Sequence, residues 1–356
     1  MLVKKVLLFG GTGAIGTYLA SILDKHSVEV YITTRQKHKD SGHIHYLLGN
    51  AKEKEVLDNI CECHWDAIVD FFSYKTEEFK GRLYEILNAT DQYVFLSSAR
   101  VFANKEHPIK EDSPRLLDVS EDNEYLKTDE YALTKARQED LLSSSKRNNW
   151  TIVRPYITYG DKRLQLGVME KEEWLYRALH GRTIIFNREI AERITSLANG
   201  YDVSIGIYNL LGRREVCGNS FNITTPERLT WNQIFEIYSS IIKKKANINI
   251  KIKNVSVDDF ISCRGDGLRY QVIYDRLYNR DFDNTKESQF VSLDDFIKVK
   301  DGLSRCLSNF IDMGAPFKSI GWKQEAIKDK LAQETTPLKE ISSIKDKLIY
   351  LWTRYL

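Results

Sequence analysis

Val6, Leu7, Leu8 and Phe9 form a short apolar run that empties into glycines at positions 10, 13 and 16, and a helical stretch opens directly after them at Tyr18, Leu19 and Ala20. A buried strand that ends in glycines can turn tightly. With no side chains in the way, a pyrophosphate can approach the backbone amides that open the next helix. This pattern predicts a dinucleotide-binding turn, with Gly10, Gly13, Ala14, Ile15 and Gly16 as its candidate contacts.

The rest of the chain fits a fold built around such a turn. Apolar, β-branched runs recur at 3–9, 28–33, 44–48, 66–72, 92–97 and 150–154, with amphipathic stretches between them. Near-continuous apolar strands that alternate with helices predict a parallel sheet covered on both faces, a doubly wound α/β domain. After Gly160 the alternation dissolves into charged helical segments such as 169–179, one more strand candidate at 220–223, and a helix that opens near Thr230. We therefore expect a dinucleotide-binding domain over 1–165, rejoined by 195–225, and a smaller mixed α/β lobe over 166–194 and 226–356. The tail carries Ile341, Ile344, Leu348, Leu351, Trp352 and Tyr355 on one helical stripe, expected to dock on its own domain or on a second subunit.

Composition narrows the function. The 356 residues hold 52 basic and 50 acidic side chains, a net charge of +2, so no global field favours nucleic acid or an anionic membrane. The first residues show no leader pattern and no membrane-spanning run, so a cytoplasmic protein is expected, with neither membrane nor nucleic acid as a partner. Five cysteines form no paired framework. Neither Cys61-Glu62-Cys63-His64 nor His43 with His45 closes a metal sphere, so no metal site is expected.

A second constellation lies downstream. The run from Gln92 to Ser98 ends a strand in hydroxyls, and Tyr131 and Lys135 follow at i and i+4, one turn apart on a helix. An ammonium beside a phenol favours the phenolate and draws its pKa from about 10 toward neutrality, where it can exchange protons. A serine hydroxyl across a cleft could hold the reacting oxygen.

With a glycine turn, a Ser97-Ser98 strand end, Tyr131 with Lys135, and a strand closing in Arg154-Pro155, the chain resembles the extended short-chain dehydrogenase/reductases. Within them it is most similar to the NAD(P)-dependent sugar-nucleotide epimerases and dehydratases. The resemblance spans about residues 1 to 160. It implies a Rossmann-type domain, with Ser98, Tyr131 and Lys135 as the catalytic trio and Lys135 also on the nicotinamide ribose. It further implies a nucleotide-sugar substrate and, as one arrangement, a homodimer. The family's Val-Tyr-Gly is replaced here by Val101-Phe102-Ala103, its Gly-Asp by Gly49-Asn50, and its His-x-Ala-Ala by the run from Asp70 to Ser73. Asn50 and Phe72 therefore stand at cofactor positions. A 4,6-dehydratase needs an Asp-Glu pair where Ala99-Arg100 stands, so dehydration is disfavoured, leaving an epimerase or a ketoreductase.

The second strand ends in Thr33-Thr34-Arg35, followed by Lys37, His38 and Lys39, where NAD binders carry an acidic residue for the ribose hydroxyls. An arginine suits a 2′-phosphate, so Thr34 and Arg35 favour NADP(H) over NAD(H). Arg154, Arg193 and Arg276 are the expected ligands of a substrate diphosphate. The alternative is a non-catalytic binding protein on the same scaffold: the stretch from Trp65 to Asp70 and the Val101-Phe102-Ala103 departure resemble chloroplast-type relatives that bind RNA.

Overall fold

The structure, a computed structural model, describes residues 3–355 apart from the Asp266 side chain. It divides into two units. The first runs to Thr158 and includes Ser196–Pro226 and Asp281–Ile297; the second comprises Tyr159–Thr195, Glu227–Arg280 and the chain from Lys298 on. The expected boundaries differ in two places. The first stretch of the dinucleotide domain stops at Thr158 rather than 165, and Asp281–Ile297, expected in the second lobe, belongs to the first unit. Two aromatic rings and two hydrogen bonds anchor it: Phe282 packs on Tyr156 and Phe290 on Phe221, the Asn284 amide donates to Thr224 O at 2.9 Å, and the Ile109 amide to Asp281 O at 2.9 Å.

The first unit is built on seven strands: β1 (Lys5–Phe9), β2 (Glu29–Thr34), β3 (Ile44–Leu48), β4 (Trp65–Asp70), β5 (Thr90–Leu96), β6 (Trp150–Pro155) and β7 (Asn219–Ile223). They lie in the order β7-β6-β5-β4-β1-β2-β3, and every pairing is parallel. Alternate residues of each strand face opposite sides. Val6, Leu8, Val30, Ile32 and Val69 pack with Leu19 and Leu23 of α1 (Gly16–Lys25). On the other face, Leu7, Phe9, Ile68, Tyr93 and Phe95 pack beneath α2 (Lys54–Cys61) and α3 (Thr76–Asn88), the latter through Phe79, Leu83 and Ile86. Each such fully buried large side chain contributes about 1.5–3 kcal/mol. This is the doubly wound sheet that the apolar runs predict. Its first crossover places the glycine turn at the carboxyl ends of the strands, where open α/β sheets bind ligands. The helix α4 (Tyr131–Ser143) packs beside α3, and α5 (Gly200–Leu210) beside α1.

In the second unit, α6 (Trp231–Ala246) starts where the sequence predicts. Thr230 caps it by accepting from the Gln233 amide, and the Gln233 side chain accepts from the Thr230 amide. The expected helix over 169–179 shortens to Leu175–Leu179, because the Leu166 and Met169 backbones bond to each other in a turn. Two further helices, α7 (Val299–Asp312) and α8 (Trp322–Ala332), precede the terminal α9 (Ile344–Tyr355). The tail docks on its own unit as expected, but only Ile341 and Leu351 of the stripe pack inward, with Tyr350, whose hydroxyl donates to Asp329 at 2.6 Å; Ile344, Leu348, Trp352 and Tyr355 point outward. Among the described residues, no helix is long and apolar enough to cross a membrane.

Candidate active site

The glycine turn is shaped by contacts that side chains would block. Gly10 has φ +69°, and a Cβ there would stand 2.7 Å from the Phe72 ring; at Gly16 a Cβ would meet Gly11 O at 2.5 Å. Gly10 N–H donates to Thr33 Oγ1 at 3.1 Å, so the end of β2 fixes the start of the turn. Ile15 caps α1 without a side-chain bond and is buried, and its carbonyl accepts from Ser204 Oγ at 2.8 Å. Thr12, Gly13 and Ala14 are left exposed at the apex.

Beside this turn opens a cleft of about 940 Å³, lined by Gly10, Thr12, Gly13, Thr33, Thr34 and Arg35 on one side and by Asn50, Lys52 and Phe72 on the other. The residues present fit a dinucleotide. At Gly13 nothing but Gly10 O, 3.9 Å away, approaches the position of a Cβ, so its backbone faces open space. None of the residues lining the cleft is acidic. Thr34 Oγ1 is engaged locally, accepting from the Gln36 amide at 3.2 Å. Arg35 is exposed and makes no ion pair among the described residues. His38 also lines the cleft and stacks on Tyr46 with ring centroids 4.6 Å apart.

Phe72 joins this cleft to the catalytic candidates. Its ring stacks on Phe9, and its carbonyl accepts from Lys135 Nζ at 3.4 Å. The same ammonium donates to Leu96 O at 2.7 Å. Burial pushes Lys135 down to about 8, against the pull of the Asp70 and Glu139 carboxylates; Lys52 pushes in the same direction as burial. Asp70 ends β4 beneath the site, fully buried. It accepts from the Phe72 amide at 2.9 Å and from the Tyr74 and Tyr93 hydroxyls at 2.9 and 2.8 Å, and burial raises its pKa.

Tyr131 is the first residue of α4 and is 38 % exposed. Ser98 Oγ accepts from the Arg100 amide at 3.3 Å, and the Arg100 guanidinium lies 5.2 Å from the Tyr131 ring centre while pairing with Glu130 at 2.5 Å. Arg100 thus links Ser98 to Tyr131. The neighbouring Ser97 is committed elsewhere, donating to Glu139 at 2.6 Å, whereas Ser98 is buried and accepts from the Arg100 amide.

The predicted diphosphate ligands fare differently. Arg154 is buried at the end of β6 and forms a bidentate pair with Glu139, Nε at 2.7 Å and Nη2 at 2.9 Å, while Nη1 donates to Glu111 O at 2.8 Å. Its charge serves the core of the first unit, which corrects its assignment to substrate. Arg276 is likewise buried, in the second unit, pairing with Asp275 and donating to Gly167 O at 3.0 Å, and the same correction applies. Arg193, also in the second unit, is half-buried with no ion pair among the described residues.

Three contributors escaped the sequence reading. Lys52 lies over the Tyr74 ring at 5.1 Å and bonds to Ser73 O at 2.5 Å, Thr33 braces the glycine turn, and Arg100 touches both Ser98 and Tyr131. Asp70 had a signal: a carboxylate closing an otherwise apolar strand must be satisfied where it is buried.

A profile of the NAD dependent epimerase/dehydratase family matches residues 6–193, more than half of the chain. The chain belongs to this family. Its fold is shared with the UDP-glucuronic acid 4-epimerase of Bacillus cereus solved in complex with NAD, with TM-score 0.63 and 15 % identity over 87 % of this chain and 97 % of that one. The enzyme WbmH of Bordetella bronchiseptica in complex with NAD+ is similar at TM-score 0.65, with 15 % identity over 88 % of this chain and all of that one. Among curated proteins, the chain is 28 % identical over 246 residues to the chloroplast stem-loop binding protein of 41 kDa b of Arabidopsis thaliana, covering 64 % of this chain. It spans about three fifths, 61 %, of the length of that relative. Family membership rests on the profile, and the solved structures show the shared fold.

Proposed function

We propose that this family member catalyses hydride and proton transfer at a carbinol carbon of a nucleotide sugar, with NADP(H) as cofactor. The observation that carries the reading is the double anchoring of Lys135 to Leu96 O and Phe72 O, which ties the serine strand end, the cofactor cleft and the Tyr131 helix to one buried cation. Gly10, Gly13, Ala14, Ile15 and Gly16 would hold the pyrophosphate, Asn50 and Phe72 the adjoining wall, and Lys135 the nicotinamide ribose. The bound nicotinamide supplies the hydride acceptor and donor.

The chain's own groups do the rest. Tyr131 exchanges the proton of the substrate hydroxyl, Lys135 stabilises its phenolate, and Ser98 holds the reacting oxygen. Arg100 stands where a dehydratase needs a carboxyl acid, which disfavours elimination of water. Epimerisation and ketone reduction share these steps and differ in whether the cofactor is consumed. Of the three arginines, Arg193 alone keeps a guanidinium that no carboxylate neutralises among the described residues, and it is our diphosphate ligand.

Support for NADP(H) comes from the cleft rim, where Arg35 makes no ion pair among the described residues and no lining residue is acidic to repel a 2′-phosphate. Support for a nucleotide sugar comes from the family and from relatives of the same fold such as the UDP-glucuronic acid 4-epimerase. A screen of nucleotide sugars, with NADPH oxidation and epimer formation as paired readouts, tests the proposal; turnover of none of them counts against it. The stem-loop binding relative favours a second reading, a non-catalytic RNA-binding protein. That reading requires a salt-sensitive RNA affinity together with no effect of Tyr131→Phe in any assay.

A further inference from the structure

The terminal helix α9 presents an apolar face that nothing in its own unit covers. Ile344, Leu348, Trp352 and Tyr355 are 76, 64, 70 and 59 % exposed. At 100° per residue they fall within an arc of about 80° along three turns. The helix does not lie loose: its opposite side carries Tyr350, fully buried and bonded to Asp329 and to the Thr336 amide, and at the edge of the stripe Arg354 Nε donates to Glu334 O at 3.1 Å. A rigidly docked helix therefore holds four large apolar side chains outward, a patch on the order of 500 Å² and near the upper end of what a monomer leaves bare.

The charges around this face identify its partner. By the same helical geometry, Lys345 borders one side of the stripe and Lys347 and Arg354 the other. The helix's single acidic residue, Asp346, lies on the far side. Two copies meeting through this face would set these cations against their own images. The patch is also smaller than the roughly 800 Å² per partner of a stable dimer. An anionic lipid surface meets both conditions, since it receives apolar side chains of one helix and attracts the flanking cations. Trp352 and Tyr355 are also the residue types that settle at headgroup depth.

We propose that the outward face of α9 lays this protein reversibly on anionic membrane surfaces, with Ile344, Leu348, Trp352 and Tyr355 entering the interface and Lys345, Lys347 and Arg354 meeting lipid phosphates. The expectation of no membrane partner rested on the global charge, and this face is a local departure from it. The interaction is independent of the chemistry proposed above.

Co-sedimentation of the full chain with vesicles tests the proposal. Binding is expected to vesicles of equal phosphatidylcholine and phosphatidylglycerol, and to be weaker by roughly a hundredfold on pure phosphatidylcholine, as three cations near the surface would make it. Leu348→Glu combined with Trp352→Glu should abolish binding without lowering the melting temperature, because both side chains point outward. Lys345→Glu should weaken it and leave a smaller salt dependence. A chain that stays in the supernatant with anionic vesicles overturns the proposal, as does a double variant that sediments like the parent. A concentration-dependent dimer that the same double variant dissolves would assign the face to a second copy instead.

Discussion

Lys135 donates from Nζ to the main-chain oxygen of Leu96 at 2.7 Å, so one hydrogen bond joins the helix that carries Tyr131 to the last residue of the strand that leads into Ser98. The bond survives burial because Asp70 and Glu139 supply negative charge nearby, yet desolvation still brings the ammonium down to about 8. A lysine at that value sheds its proton just above neutrality, and with it the cation that stabilises a Tyr131 phenolate. The pH profile of kcat/KM should therefore fall above about pH 8. Lys52→Ala should move that alkaline limb upward and Asp70→Asn downward. A limb that stays in place in both variants would separate Lys135 from the chemistry.

A second titration concerns folding. Burial pushes Glu287 up to about 8 from 4.5, although the Asn284 amide and the Thr224 backbone amide both donate to it. A carboxyl whose folded pKa is raised contributes stability that is complete below the unfolded value and is lost as pH rises through the folded one. Glu287→Gln keeps an acceptor for those donors and removes the loss. It should melt a few degrees above the parent at about pH 9, with the gap closing near pH 4. Equal melting temperatures at both values would contradict this.

The Glu139 carboxylate holds Arg154 in two bonds and also accepts from Ser97 and Arg115. Glu139→Gln leaves a buried guanidinium without its counter-charge and should cost about 3–5 kcal/mol in urea unfolding. Replacing both members of the pair by methionine should cost less than the single change. If it costs more, the pair is stabilising in its own right.

Much of this was legible in the sequence, and the part that was not has a physical reason. Six of the seven strands follow from apolar runs, because a sheet buried on both faces tolerates little else, the seventh was a separate strand candidate, and Thr230 announces α6 through its capping residues. The candidate trio is what the family resemblance implies, with the i, i+4 spacing of Tyr131 and Lys135 beside it. Arg154 misled because an arginine at a strand end is equally suited to a phosphate or to a buried glutamate, and only three-dimensional proximity brings Glu139 to it. The tail misled for a related reason: its apolar stripe shows that one face is apolar, not that this face is the one turned inward, and it was Tyr350 that found the buried partner. The return of Asp281–Ile297 to the first unit rests on two isolated aromatic contacts, Phe282 on Tyr156 and Phe290 on Phe221, and on scattered hydrogen bonds, which leave no periodic signature.

Cofactor choice is testable at one position. Arg35 lines the cleft at the end of β2 with no carboxylate beside it. Arg35→Ser should weaken NADPH binding by roughly tenfold to a hundredfold, the worth of one charge-assisted hydrogen bond, and leave NADH nearly unchanged. Equal losses for the two cofactors would remove Arg35 from the 2′-phosphate.

The central claim is that Tyr131 moves the proton, and Tyr131→Phe tests it most directly. Turnover of the nucleotide sugar identified in the screen should fall by at least roughly a hundredfold, as loss of a general acid/base requires, while NADPH affinity by fluorescence titration stays within about twofold of the parent. A Tyr131→Phe enzyme that keeps its turnover, with its cofactor still bound, would contradict the account.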